Sequence, residues 1–183
     1  MIYIFEGSRN SGKTYISDVC SDVLEIPKFK FKFVDWFRTL NLSGDPSGTH
    51  KFALGKELML LQLNSESIIP SDFILDRGIF TVLTWGVLEE RILMEDAKEQ
   101  LKNIIDLSLL KNCSFLYIKG ENPDSIPRNK DEWDSKESLR SEETRICVEL
   151  MTYASEVNNE IKINFFENTF GEESVEMVLN FIK

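Results

Sequence analysis

The first five residues, Met1-Ile2-Tyr3-Ile4-Phe5, are apolar and β-prone, as a short strand buried in a parallel sheet would be. From Thr14 to Leu24, the residues Ile16, Val19, Cys20, Val23 and Leu24 recur at helical spacing. Glu25-Ile26-Pro27 ends that helix, because proline cannot continue it. Lys28-Phe29-Lys30-Phe31-Lys32-Phe33-Val34 then alternates strictly, which predicts a strand with phenylalanines on one face and lysines on a wet one. Lysines on a strand suit a sheet edge, where they block edge-to-edge pairing. Leu42 to Thr49 holds Gly44, Asp45, Pro46 and Gly48 and predicts a loop. Phe52 to Leu63 predicts a helix with Phe52, Leu54, Leu58, Met59 and Leu61 as its apolar set. Ile68 to Leu75 predicts the next strand, with Pro70-Ser71 a break near its start and Asp76-Arg77-Gly78 at its end.

Ile79 to Met94 predicts a long helix with Phe80, Leu83, Val87, Leu88 and Ile92 on a shared face. Gly86 inside it costs about 1 kcal/mol relative to alanine, so close packing or a bend is expected there. A further helix over Glu95 to Leu110 turns Leu101, Ile104, Ile105 and Leu109 inward, and Cys113 to Ile118 reads as a buried strand. Glu121 to Glu137 is polar, charged and interrupted by Pro123 and Pro127, which predicts a mobile loop. Ser138 to Asn158 is helical, Ile161 to Phe166 a strand, and Glu172 to Lys183 an amphipathic helix with Val175, Val178, Leu179 and Ile182 inward. Strands and helices alternate from end to end, without repeat, low-complexity tract or linker. The pattern predicts one domain over residues 1–183: a doubly wound α/β fold with five parallel strands and helices on both faces.

Between the first strand and the first helix lies Gly7-Ser8-Arg9-Asn10-Ser11-Gly12-Lys13-Thr14, which reads G-x-x-x-x-G-K-T. Strand, glycine-rich loop and helix in this order are the context in which the run binds phosphate. Its glycines let the backbone wrap an anion, successive N–H groups point inward, and the helix N-terminus adds partial positive charge. The motif assigns Lys13 to the β- and γ-phosphates of ATP and the Thr14 hydroxyl to Mg²⁺.

Composition narrows the chemistry. The 183 residues suffice for one domain with a sizeable core. A formal net charge of -10 disfavours a large nucleic-acid footprint, though not a small basic cleft. No apolar run has the length of a membrane span, and Met1 runs directly into the first strand without a signal-like segment. Cys20, Cys113 and Cys147 are far apart and odd in number, which reads as buried thiols of a reducing compartment and makes a cytoplasmic location the expectation. His50 is the only histidine, which excludes metal sites built from several histidines and points to carboxylates, Lys and Arg for chemistry.

Several points resemble the thymidylate kinase and deoxynucleoside kinase group. They are Phe5-Glu6-Gly7 at the loop entry, Leu75-Asp76-Arg77 at a strand end, Leu116-Tyr117-Ile118 followed by Pro123-Asp124, and Asp131-Glu132-Trp133-Asp134, similar to that group's lid pattern D-R-F-E. Glu132 stands where a lid arginine is usual, and Asp35-Trp36-Phe37-Arg38 replaces the R-E-P-G run of bacterial thymidylate kinases. The resemblance implies strand order 2-3-1-4-5, a lid at about 121–137, and phosphoryl transfer from ATP to a small nucleotide. The guanine-reading motif of GTPases is missed at Asn129-Lys130-Asp131-Glu132, and Asp76-Arg77-Gly78-Ile79 is not their D-x-x-G switch.

Asp76 follows an apolar strand, where open α/β sheets place ligands, and could bind Mg²⁺ or polarise the attacking oxygen. Arg77 could hold the acceptor or the migrating phosphoryl group in a bidentate fork; the alternative for the Asp76–Arg77 pair is a surface ion pair. Glu6 reads either as a tethering carboxylate or as an acceptor-side group. Arg38 is a candidate for the acceptor's phosphate, and Trp36 or Phe37 for base stacking. Gln62 reads as a base-edge reader or as a plain solvent-facing amide, and Arg9 or Arg128 as replacements for the missing lid arginine. The expected acceptor is a deoxynucleoside monophosphate. The alternatives are a kinase acting on a nucleotide or modified base within DNA, through a groove of Lys28, Lys30, Lys32 and Arg38, and a non-catalytic ATP-binding module. A homodimer is a further expected arrangement, and no membrane is expected.

Overall fold

The computed structural model describes residues 1–8, 11–30, 46–69, 72–120 and 137–183. Its strands are β1 (Ile2–Glu6), β2 (Lys28–Lys30), β3 (Phe73–Asp76), β4 (Cys113–Gly120) and β5 (Lys162–Asn168). Its helices are α1 (Lys13–Leu24), α2 (Pro46–Ser65), α3 (Ile79–Leu88), α4 (Met94–Asp106), α5 (Glu137–Val157) and α6 (Glu172–Ile182). The five strands form one sheet in the order β2-β3-β1-β4-β5, and every pairing is parallel.

Alternation along the strands divides the core between the two faces of the sheet. Ile2, Ile4, Phe73, Leu75, Phe115 and Tyr117 point to one face, under α2, α3, α4 and α5. Phe5, Ile74, Leu116 and Ile118 point to the other, where Ile16 and Cys20 of α1 and Val175, Val178 and Ile182 of α6 cover them. Register brings the strand ends level: Phe5 pairs with Asp76 and with Leu116, and Glu6 with Tyr117. The loop after β1 and the turn after β3 therefore leave the sheet side by side.

Several expected boundaries and faces are corrected. Pro46 to Thr49 is helix rather than loop, forming the first turn of α2, where proline's missing N–H costs nothing. On α2 the buried side chains are Thr49, His50, Ala53, Lys56, Glu57, Leu60, Leu61 and Asn64, while Met59 is exposed. The face that packs thus carries polar groups that an apolar count passes over. Val23, one of the apolar residues at helical spacing on α1, is exposed. The third strand is Phe73–Asp76 and does not include Ile68, which is exposed after α2; Pro70-Ser71 lies outside the described residues. The expected helix from Ile79 to Met94 ends at Leu88, where Arg91 and Ile92 N–H both return to the Gly86 carbonyl. Close packing at Gly86 holds: a Cβ there would lie 2.7 Å from His50 Nδ1, so the α3 backbone packs directly against a side chain of α2.

The edge strand needs a further correction. β2 is an edge, but Lys28 does not face water: its side chain is only 10% exposed and ion-paired with Asp18. Phe29 packs edge-on against Phe73. Residues 31–34 of the alternating run lie outside the described residues. The three cysteines are free and buried, and burial pushes the Cys20 thiol up to about 11 and Cys113 to about 12. Among the described residues no helix is long and apolar enough to cross a membrane.

Candidate active site

β1 delivers the chain into Gly7 and Ser8; Arg9 and Asn10 lie outside the described residues. The loop re-enters the described chain at Ser11, which is buried, and at Gly12, the residue preceding α1. Gly12 has φ 81°, and a Cβ on it would sit 2.1 Å from Asn168 Nδ2. The left-handed backbone and the close approach both require glycine there. Asn168, the buried last residue of β5, donates to the Ser11 carbonyl at 2.8 Å, and its Oδ1 accepts from Phe170 N–H at 2.9 Å. It braces the loop from outside. Nothing in the sequence marks this asparagine, because the contact spans 157 positions.

Lys13 begins α1, is buried, and donates from Nζ to the Ser8 carbonyl at 2.8 Å. Burial and the nearby Arg77 guanidinium pull its ammonium down to about 7, opposed by Glu143, Asp76 and Glu6. Charged groups from β1, β3, the turn after β3 and α5 therefore lie near enough to act on Lys13 electrostatically. Glu143, buried on α5, is a member the sequence reading missed. Thr14 Oγ1 donates to Asp76 Oδ2 at 2.8 Å, and Asp76 is buried at the tip of β3. Arg77 has φ 78°, in the left-handed region, and its N–H donates to the Phe5 carbonyl at 2.9 Å. A non-glycine residue in that conformation costs about 1–3 kcal/mol and persists where its surroundings hold it.

Glu6 is fully buried and tethers the next helix. Its Oε1 accepts from Gly78 N–H at 3.2 Å and Phe80 N–H at 3.1 Å, and its Oε2 from the Thr81 hydroxyl. Those N–H groups belong to the start of α3, where helices leave donors unsatisfied. Of the two readings of Glu6, this geometry matches the tethering one. Burial raises its carboxyl to about 7, with Glu57 adding to the rise and the Thr81 hydroxyl and Lys13 opposing it. Between 4.5 and about 7 the folded protein keeps a proton on Glu6 that the unfolded chain has released, so stability falls as pH rises through that window. Glu6→Gln should remove this loss. Relative to the variant, the wild type should weaken between pH 5 and pH 8 by up to roughly 3 kcal/mol in urea unfolding. A difference that stays flat across that range would show that Glu6 does not titrate there.

Lys56 and Glu57 were also missed. Both are buried on α2 and paired at 2.6 Å. Two adjacent opposite charges inside the apolar stretch from Phe52 to Leu61 were the available signal. Gln62 is exposed, and its amide donates to Glu66 Oε1 at 2.9 Å, which is the solvent-facing reading. Trp36, Phe37, Arg38, Arg128 and the lid up to residue 136 lie outside the described residues; Glu137 opens α5. The Lys28–Lys30–Lys32–Arg38 groove loses its first member, since Lys28 is paired with carboxylates.

Thr14 and Asp76 present two adjacent hard oxygen donors beside the glycine-rich loop, a donor set that fits Mg²⁺. The loop backbone, Lys13 and the α1 N-terminus suit a polyphosphate.

No family model matches the chain, and no curated protein matches it. Solved structures do. A deoxyadenosine kinase from M. mycoides with dCMP and dCDP bound superimposes with a TM-score of 0.66 at 14% identity, covering 100% of this chain and 98% of that one. A thymidylate kinase from Candida albicans gives 0.63 at 15% identity, covering 99% and 88%. The YorR protein from Bacillus subtilis, in complex with phosphorylated GDP, gives 0.62 at 13% identity, covering 100% and 95%. The fold is therefore that of P-loop kinases, and within them it is thymidylate kinase- and deoxynucleoside kinase-like.

Proposed function

We propose that this protein is an ATP-dependent kinase that phosphorylates a small nucleotide, with a deoxynucleoside monophosphate as acceptor. The observation that carries the reading is the hydrogen bond between Thr14 Oγ1 and Asp76 Oδ2, with buried Lys13 beside it. It joins the phosphate loop to the turn that bears Arg77. Phosphoryl transfer depends on positioning and charge neutralisation more than on covalent help. Lys13 would leave the Ser8 carbonyl for the β- and γ-oxygens of ATP, and Gly12 and Ser11 would offer backbone N–H groups. Mg²⁺, held by Thr14 and Asp76, would neutralise those same oxygens. Arg77 would hold the acceptor or the migrating group, and Arg38 the acceptor's phosphate. The segment 121–137 would close over the nucleotide and exclude water, with Arg9 or Arg128 as the clamp.

The first neighbour is a deoxyadenosine kinase with the products dCMP and dCDP bound, which supports phosphoryl transfer to a nucleoside or nucleotide in this fold. The net charge of -10 favours a single nucleotide over a long polyanion. A panel of nucleosides, monophosphates and oligonucleotides, incubated with labelled ATP, tests the reading. Label transfer to a free monophosphate is the expected result. Transfer only to a duplex would replace it with the DNA-kinase reading, and transfer to none would leave a nucleotide-binding module.

A further inference from the structure

Lys28 stands beside the metal-binding pair and has no part in the reaction described above. Its Nζ reaches three oxygens: Asp18 Oδ1 at 2.5 Å, the Thr14 carbonyl at 3.2 Å and Asp76 Oδ2 at 3.6 Å. The last is the same oxygen that accepts the Thr14 hydroxyl. The edge strand sets this up. Lys28 pairs in register with Ile74, two residues short of Asp76, a gap the lysine stem spans. The Asp76 side chain is 0% exposed and that of Lys28 only 10%, so water screens their attraction little. Asp18, the nearer partner, is 59% exposed, so water screens that pair more.

An ammonium at this distance cancels much of the charge that Asp76 would offer a metal. Lys13 and Arg77 add positive charge from the loop side, where Glu6 and Glu143 partly offset it. A free divalent ion then meets two oxygen donors with little net negative charge between them. A metal that arrives on a polyphosphate brings its own negative charge and is not excluded.

We infer that Lys28 denies the nucleotide-free site to free divalent cations, so that metal enters together with the nucleotide. The inference rests on the phosphate-loop and metal reading proposed above. It is tested by titrating the nucleotide-free chain with Mn²⁺ and following the EPR signal of the unbound ion. Lys28→Gln should bind Mn²⁺ about tenfold tighter than the wild type, a modest share of the Coulomb effect of one charge near a divalent ion. Lys28→Arg should stay within about twofold of the wild type, because the charge is kept. Adding Asp76→Asn to Lys28→Gln should remove the gain. Lys28→Met, which keeps the aliphatic stem, serves if the glutamine variant does not fold. Unchanged or weaker Mn²⁺ binding in the neutral variants overturns the inference, and so does a gain that survives Asp76→Asn. Binding of Mn·ATP to the wild type separates the two levels. If it fails, the metal reading falls and this one with it. If it succeeds while Lys28→Gln matches the wild type for free Mn²⁺, this inference alone falls.

Discussion

Replacing Lys13 by alanine is expected to raise the dissociation constant for Mg·ATP by roughly 100-fold, equivalent to about 3 kcal/mol. The side chain is already in the cleft, with Nζ 2.8 Å from the Ser8 carbonyl and its stem buried. Binding therefore needs an exchange of acceptors rather than the ordering of a free lysine, and little rotamer entropy opposes it. Alanine deletes the charged donor while Gly12, Ser11 and the α1 N-terminus remain, so some affinity for phosphate should persist. Thermal-shift titration measures the difference. The wild type should gain about 2.7 kcal/mol when Mg·ATP is at a hundred times its dissociation constant, and the variant should gain far less at the same concentration. Equal shifts would remove Lys13 from the site, and no shift in the wild type would remove the site itself.

Asp76→Asn is expected to lower kcat by about 100-fold or more while both substrates still bind within a few-fold of the wild type. The asparagine carbonyl can still accept the Thr14 hydroxyl, so the link between β3 and the loop survives. What disappears is the negative charge that would draw the metal and polarise the attacking oxygen. Lys28, at 3.6 Å, would then face a neutral group. Single-turnover kinetics with the acceptor identified in the panel separate the two effects. A variant that loses ATP affinity but turns over normally would assign Asp76 to binding rather than to the chemical step.

Part of the candidate site is legible in the sequence. The G-x-x-x-x-G-K-T run stands between a strand and a helix, and that order suits an anion nest. The alternation of apolar strands with amphipathic helices was also legible, because period 2 and period 3.6 are local properties of the chain. The close approach at Gly86 could be anticipated from its cost in a helix interior. The identity of its neighbour, His50, could not. On α2 the local reading went wrong in a specific way. Counting apolar residues selected Met59, whereas the face that packs carries Lys56, Glu57 and Asn64. Burial of these three residues reflects where α2 packs, and hydropathy alone carries no such information.

By itself, the sequence determined the glycine-rich G-x-x-x-x-G-K-T loop, the alternating strands and helices, and the carboxylate and arginine after the third strand. The tertiary structure alone decided which distant groups meet them. Asn168 braces the loop at Ser11, Glu6 tethers the start of α3, and Lys28 leans onto Asp76. Each of these contacts crosses from one strand or helix to another far along the chain. Each depends on the order in which parallel strands stack and on the level at which their ends stop, because those two quantities set the few ångströms that separate a contact from a neighbour.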